Sequence, residues 1–324
     1  MNNRPPPQAQ YEISRSLPAF EALRAGELTS ILVVGDSISD GNSDKGCLWT
    51  QEDRAAAGNR LILTDENGNS YYENPVMSQG WVKYLRTAAE ESGVTLFEND
   101  AIGGMSAKWF NAHKELLFTV QGRYDAIFVM LGTNDRWDCA DPAEFHAKYG
   151  ELLAYLSGHC TYLTVLTPIP AISETGKSMP MNTEQIAAEV LALCEENGYS
   201  YIDCYRDFPQ HAADAGYPLG YYYWAGTHPH RGGYEMLWET IAAKPEGTGQ
   251  PEDVLSLSCL GENREDLTGD TPADTVLADE TPAYPPVFLG TLHGTPLQTL
   301  CPPALILKRT GMRILPYNTP TTRR

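Results

Sequence analysis

Five runs of apolar, β-favouring residues recur along the 324-residue chain: Ser30 to Val34, Thr95 to Glu98, Ala126 to Leu131, Tyr162 to Leu166 and Tyr201 to Cys204. Trp81 to Glu91, Ala107 to Val120, Pro142 to Leu156 and Thr183 to Asn197 fall between them, and Gly233 to Ala243 follows. These stretches place apolar residues three and four apart, and Gly93, Gly158 and Gly198 supply helix stops. Short apolar runs alternating with helices predict an α/β domain on a parallel sheet, ending near Lys244. In such sheets ligands bind beyond the carboxyl ends of the strands, so chemistry is expected in the segments just after them.

Three stretches lie outside the alternation. Residues 1–28 form an N-terminal extension to a domain spanning 29–244. Within that domain Asn42 to Gln79 is an insertion, and Arg60 to Tyr72 reads as a hairpin about Asn67-Gly68. Such a hairpin either walls the cleft or decorates the surface. Residues 245–324 are rich in Thr, Pro, Gly and acidic residues, which predicts a largely irregular linker and tail with no catalytic role. Val287 to Leu289 and Ala304 to Leu307 are its candidate short strands, limited to edges by Pro302, Pro303 and Pro316.

Composition narrows the function. Hydrophobic residues are 42% of the chain and charged residues 20%, as in a soluble globular protein. The formal net charge of -19 repels nucleic acid and anionic lipid, and no apolar stretch approaches the roughly 18 to 20 residues that span a bilayer. Expected partners are therefore small molecules rather than polyanions or membranes. Met1 to Gln10 has no apolar segment of secretory type, which points to a cytoplasmic protein or one whose signal has been removed. The seven cysteines show no C-x-x-C pair and no metal-ligand spacing, so reduced, mostly buried thiols are expected, with no metal. No Gly-rich phosphate loop follows a strand, which disfavours a nucleotide or flavin binder, and no cofactor is expected.

Four segments after strands carry candidate chemistry. Val33-Val-Gly-Asp-Ser-Ile-Ser-Asp-Gly41 puts Gly35, Asp36 and Ser37 at the turn after the first strand. Ser37 there is a nucleophile candidate or simply a helix cap. Asn99 to Ser106 contains Gly103-Gly104, whose backbone N–H groups can approach a ligand closely. Leu131-Gly132-Thr-Asn134-Asp135 sets a side-chain amide at the same edge, as an oxyanion donor or a turn former. Gly226-Thr-His228-Pro-His230 precedes the last helix, and no nearby Cys or ordered carboxylate completes a metal set for its two histidines.

Together the Gly-Asp-Ser, Gly104, Gly-Thr-Asn-Asp and Thr-His-Pro blocks resemble those of the SGNH (GDSL-like) hydrolases from Thr29 to about Ala243. The resemblance implies a flavodoxin-like three-layer sandwich with a five-stranded parallel sheet. It implies Ser37 as nucleophile and His228 as general base. The oxyanion hole would be the N–H groups of Ser37 and Gly104 with the Asn134 amide, with Gly35, Asp36, Gly132 and Asp135 supporting the motifs.

One position departs from the family pattern Asp-x-x-His: Ala225 stands where the acid that orients the base is expected. A dyad oriented by a backbone carbonyl, a carboxylate from elsewhere such as Asp203, Asp207 or Asp214, or an introduced Ala would each account for it. The expected activity is ester hydrolysis, with O-acyl groups on carbohydrates suggested by Trp109, Trp137 and Tyr221 to Trp224 beside the motif blocks. The alternative is a catalytically impaired carbohydrate-binding protein that retains an esterase cleft.

Overall fold

The computed structural model describes residues 13, 15–41, 50–74, 80–117, 122–172, 179–243, 291–292 and 295–296. The chain divides into two compact units, Met1–Ser256 and Leu257–Arg324. In the first, α1 (Pro18–Arg24), β1 (Ser30–Gly35), α2 (Ser37–Asp40) and α3 (Gln51–Ala56) precede a hairpin of β2 (Leu61–Thr64) and β3 (Ser70–Tyr72). Then follow α4 (Trp81–Glu91), β4 (Leu96–Asn99), α5 (Ala107–His113), β5 (Tyr124–Met130), α6 (Asp135–Asp138), α7 (Pro142–Gly158) and β6 (Cys160–Leu166). The unit ends with α8 (Thr183–Asn197), β7 (Ser200–Ile202), α9 (Cys204–Asp214), β8 (Tyr223–Ala225), β9 (His228–Pro229) and α10 (Arg231–Ala242). Described residues of the second unit form an antiparallel pair, β10 (Thr291–Leu292) and β11 (Thr295–Pro296). The candidate strands at 287–289 and 304–307 lie outside the described residues.

The main sheet is parallel, in the order β4-β1-β5-β6-β7. Counting only its own strands, that order is 2-1-3-4-5, the flavodoxin-like arrangement whose switch point lies between the first and third. The switch point here is β1 against β5, so the turns after Gly35 and Met130 are adjacent. Alternation along the strands divides the core. Ile31, Val33, Ala126 and Phe128 face a layer with Phe20, Trp81, Phe208 and Trp238, whereas Leu32, Val34, Ile127 and Val129 face Phe110, Phe145, Tyr149 and Val190. Both sheet faces are thus covered, which is why the strands read as unbroken apolar runs.

Three elements differ from the periodicity reading. The helix beginning at Ala107 ends at His113, whose backbone (φ -112°, ψ 9°) leaves the α region; a 3-10 turn follows at Lys114–Leu116, and 118–120 lie outside the described residues. The last strand stops at Ile202 because the Asp203 side chain accepts the Arg206 N–H and caps α9, so Cys204 is helical. Residues 18–24 form α1, burying Phe20 and Leu23 in the core. Cys139, Cys160, Cys194 and Cys204 are free and buried; Cys47, Cys259 and Cys301 lie outside the described residues. Among the described residues no helix is long and apolar enough to cross a membrane.

Candidate active site

β1 breaks at Gly35, where an added Cβ would lie 2.4 Å from Ser39 Oγ and 3.1 Å from the Met130 carbonyl. Asp36 caps α2 through the Ile38 N–H (2.9 Å), so capping falls to Asp36 and the Ser37 hydroxyl is left for another partner. That partner is His228, whose Nε2 lies 2.7 Å from Ser37 Oγ across 191 residues. His228 opens β9 in a short hairpin with β8, docked by two bonds. Ile172 N–H donates to the Gly226 carbonyl (2.8 Å), and Tyr223 Oη donates to the Pro170 carbonyl. Burial lowers the pKa of His228 below its ordinary value, and the nearby Arg136 guanidinium lowers it further. Both effects favour the neutral ring, which is the form that can accept a hydroxyl proton.

The two other blocks are stitched to this turn by backbone bonds. Asp100 N–H donates to the Val33 carbonyl (2.8 Å) and Ile102 N–H to the Gly35 carbonyl (2.9 Å), carrying the Gly104 loop along the β1 edge. Gly104 has φ +85°, a left-handed conformation that side chains disfavour. Asn134 is not a local turn former. Its Nδ2 reaches 29 residues back to the Met105 carbonyl (2.9 Å), leaving one amide N–H to spare. The Asp135 carboxylate accepts the N–H groups of Ala107 (2.9 Å) and Lys108 (3.2 Å) at the start of α5, and burial pushes its pKa up to about 6. Gly132, at φ +126°, admits no Cβ, which would lie 2.6 Å from Ile186 Cγ2. Gly104, Ser106, Trp109, Asn134 and Trp137 line an open depression of about 360 Å³. Thus the structure joins Ser37 to His228, and Gly104 to Asn134; the first pair is not part of the depression's lining.

Ala225 is paired with His228 in the β8–β9 hairpin, beside a register shift between Tyr223 and Ala225. His228 Nδ1 has Thr227 Oγ1 at 3.3 Å, and among the described residues no carboxylate bonds it. The three aspartates offered as substitutes are engaged elsewhere: Asp203 with Thr167 and the start of α9, Asp207 with Arg206 and Arg15, and Asp214 with Gln210. His230 caps α10, accepting the Gly233 N–H at Nδ1 (3.2 Å), while its Nε2 meets the Tyr221 carbonyl (2.6 Å). Two features were not legible beforehand. Arg136 is buried beside His228 with Nε donating to the Thr133 carbonyl (2.6 Å), and the inserted segment sends Arg54 to a buried bidentate pair with Asp40 of α2 (2.8 and 3.1 Å). The Thr50 and Asp53 capping box of α3 was the available signal for the second.

A parallel α/β sheet with a serine–histidine couple at its switch point places the chain in a hydrolase class. The sequence profile of the GDSL-like Lipase/Acylhydrolase family matches residues 33–236, and the chain belongs to that family. Solved structures with a similar fold include LAE5, an alpha/beta hydrolase enzyme from the metagenome of Lake Arreo, Spain. It is 19% identical, the match covers 66% of this chain and 93% of that one, and the TM-score is 0.47. Another is Axe2, an acetylxylan esterase from Geobacillus stearothermophilus, at 18% identity, 66% and 92% coverage and a TM-score of 0.47. The comparison with curated proteins found no match.

Proposed function

We propose that the protein hydrolyses carboxylic esters through an acyl-enzyme on Ser37, with His228 as general base. The observation that carries this reading is the 2.7 Å contact between His228 Nε2 and Ser37 Oγ. A serine hydroxyl attacks a carbonyl only when a base takes its proton, and a neutral imidazole at that distance can do so. As Ser37 Oγ bonds to the carbonyl carbon, negative charge gathers on the carbonyl oxygen. The N–H groups of Ser37 and Gly104 and the spare Asn134 amide N–H are its donors; losing one donor of this kind typically lowers turnover about 100- to 1,000-fold. The imidazolium protonates the departing alkoxide, and water activated by the same ring then releases the acid. Half-buried Trp109 and exposed Trp137 in the depression, with exposed Trp224 on β8 of the histidine hairpin, favour an acyl group carried on a sugar.

The test is labelling of the purified protein with a serine-reactive fluorophosphonate, with Ser37→Ala as control. Labelling that disappears in the variant is expected, and labelling that survives it would overturn the assignment of Ser37. The second reading, a carbohydrate-binding protein with a residual cleft, is favoured by Ala225 and by the lack of a carboxylate on His228 among the described residues. It requires that acetylated sugars bind and that neither they nor aryl acetates turn over.

A further inference from the structure

Trp109 connects the depression to the inserted hairpin. It is half-buried in the first turn of α5, its N–H donating to Ser106 Oγ (2.9 Å), and it lines the depression beside Gly104 and Asn134. The His113 imidazole, one helical turn on, stacks on its indole with centroids 4.1 Å apart and planes inclined by 24°. Tyr71 of β3 meets the indole edge-on at 5.3 Å and 73°. His113 is itself held at both nitrogens. Nδ1 faces the Trp109 carbonyl at 2.8 Å and Nε2 faces the Glu66 carboxylate at 2.9 Å. The two contacts fix the imidazole over the indole face.

Glu66 belongs to the hairpin turn, and its side chain is 71% exposed where that of His113 is 9% exposed. The turn is knotted from within: Asp65 accepts the N–H groups of Asn67 (2.9 Å) and Asn69 (2.8 Å) and the Tyr71 hydroxyl (3.2 Å). The part of the hairpin that touches Trp109 through Tyr71 is therefore the same rigid unit that reaches His113 through Glu66.

We propose that the β2–β3 hairpin is a specificity element: Glu66 with His113, and Tyr71, fix Trp109 as a stacking platform for the sugar ring that bears the acyl group. His113 stacks on the indole, Tyr71 and Phe110 stand steeply to it at 5.3 Å, and Trp109 still lines the depression, where an aromatic ring suits the C–H face of a sugar. Trp109 would touch substrate; Glu66, His113 and Tyr71 are positioning residues. The inference rests on the carbohydrate-ester reading above.

Two measurements test it. In a Ser37→Ala background, calorimetric titration with acetylated glucose is expected to show affinity reduced about tenfold by Trp109→Ala and largely recovered by Trp109→Phe. Glu66→Ala, at an exposed site that leaves the core untouched, is expected to reduce it about threefold, with Glu66→Gln keeping an acceptor and most of the affinity. With Ser37 present, the ratio of kcat/KM for acetylated glucose to that for 4-nitrophenyl acetate should fall by the same factors, through KM. Unchanged affinity and ratio in Glu66→Ala, or no sugar binding in the Ser37→Ala protein, would overturn the proposal. Failure of the esterase reading looks different: neither ester is turned over, while sugar binding stays sensitive to Glu66.

Discussion

Replacing Ala225 by Asp should raise activity. Ala225 is paired with His228 across the β8–β9 hairpin, beside a register shift between Tyr223 and Ala225. Paired residues have Cβ atoms about 4.5–5.5 Å apart, a span that a carboxylate at 225 bridges toward the imidazole. Among the described residues Nδ1 has only the Thr227 hydroxyl, at 3.3 Å. A hydrogen bond to a charged group contributes about 1.5–3 kcal/mol, which on the imidazolium-like transition state is about 10- to 150-fold in rate. The ceiling is the roughly 10⁴-fold loss seen when the equivalent acid of a serine protease is made an amide. The assay is kcat/KM for 4-nitrophenyl acetate from pH 5 to 9. The base must be neutral to act, so the rate falls as pH drops through the pKa of His228. Burial and Arg136 hold that pKa below the ordinary histidine value, and the new carboxylate should move the acid limb upward as it raises the plateau. Ala225→Asn supplies an acceptor without charge and should gain far less. A folded Ala225→Asp protein with an unchanged plateau and an unmoved limb would refute the reasoning.

Three further outcomes follow from the packing. Gly35→Ala forces a Cβ to 2.4 Å from Ser39 Oγ and should lower stability by about 1–3 kcal/mol in urea unfolding, with wild-type stability contradicting the clash. Arg54→Met strands the Asp40 carboxylate, whose side chain is 2% exposed, and should cost about 3–5 kcal/mol; Asp40→Leu with Arg54→Met should cost much less, and equal losses would show that the pair is not what matters. Burial pushes the Asp36 carboxyl up to about 6 from 3.8, so the folded protein keeps a proton that the unfolded chain releases between those values. That contribution is complete below about pH 4 and lost as pH rises through 6, on the order of 3 kcal/mol. The unfolding free energy of Asp36→Asn should therefore gain on wild type by that amount from pH 4 to 7, and a pH-independent difference would contradict it.

The central strands β1 and β5 are legible in the sequence because they are covered on both faces, so Ile31 to Val34 and Ala126 to Val129 are apolar at every position. The four motif blocks are legible because each follows a strand, where a parallel sheet gathers its loops. α9 is harder. Cys204, Phe208 and Ala212 form its buried stripe at four-residue spacing, but Pro209 interrupts the pattern and reads as a breaker. α1 is only seven residues long, too short for its periodicity to stand out. The purpose of the insertion is not periodic at all: Glu66 meets His113 across 47 residues, and Arg54 of α3 meets Asp40 of α2 across 14. Arg136 beside His228 leaves no trace in the sequence for the same reason.

The acid of a serine triad does two jobs, holding the imidazole in place and stabilising its charge. In the proposed mechanism the first falls to the bonds that fix the histidine hairpin. The hairpin bearing His228 is fixed at Gly226 and Tyr223, and the His230 N–H donates to the Tyr222 carbonyl at 3.0 Å as α10 begins. A further side chain is excluded at the helix start, because a Cβ on Gly233 would lie 2.1 Å from the Tyr222 carbonyl. The 2.7 Å contact with Ser37 is thus formed with no carboxylate on His228 among the described residues. The second job has no counterpart among the described residues, and Arg136 acts against it by repelling a charged ring. On the proposed mechanism the site lacks charge rather than geometry, which is why a single carboxylate at position 225 should be enough to raise the rate.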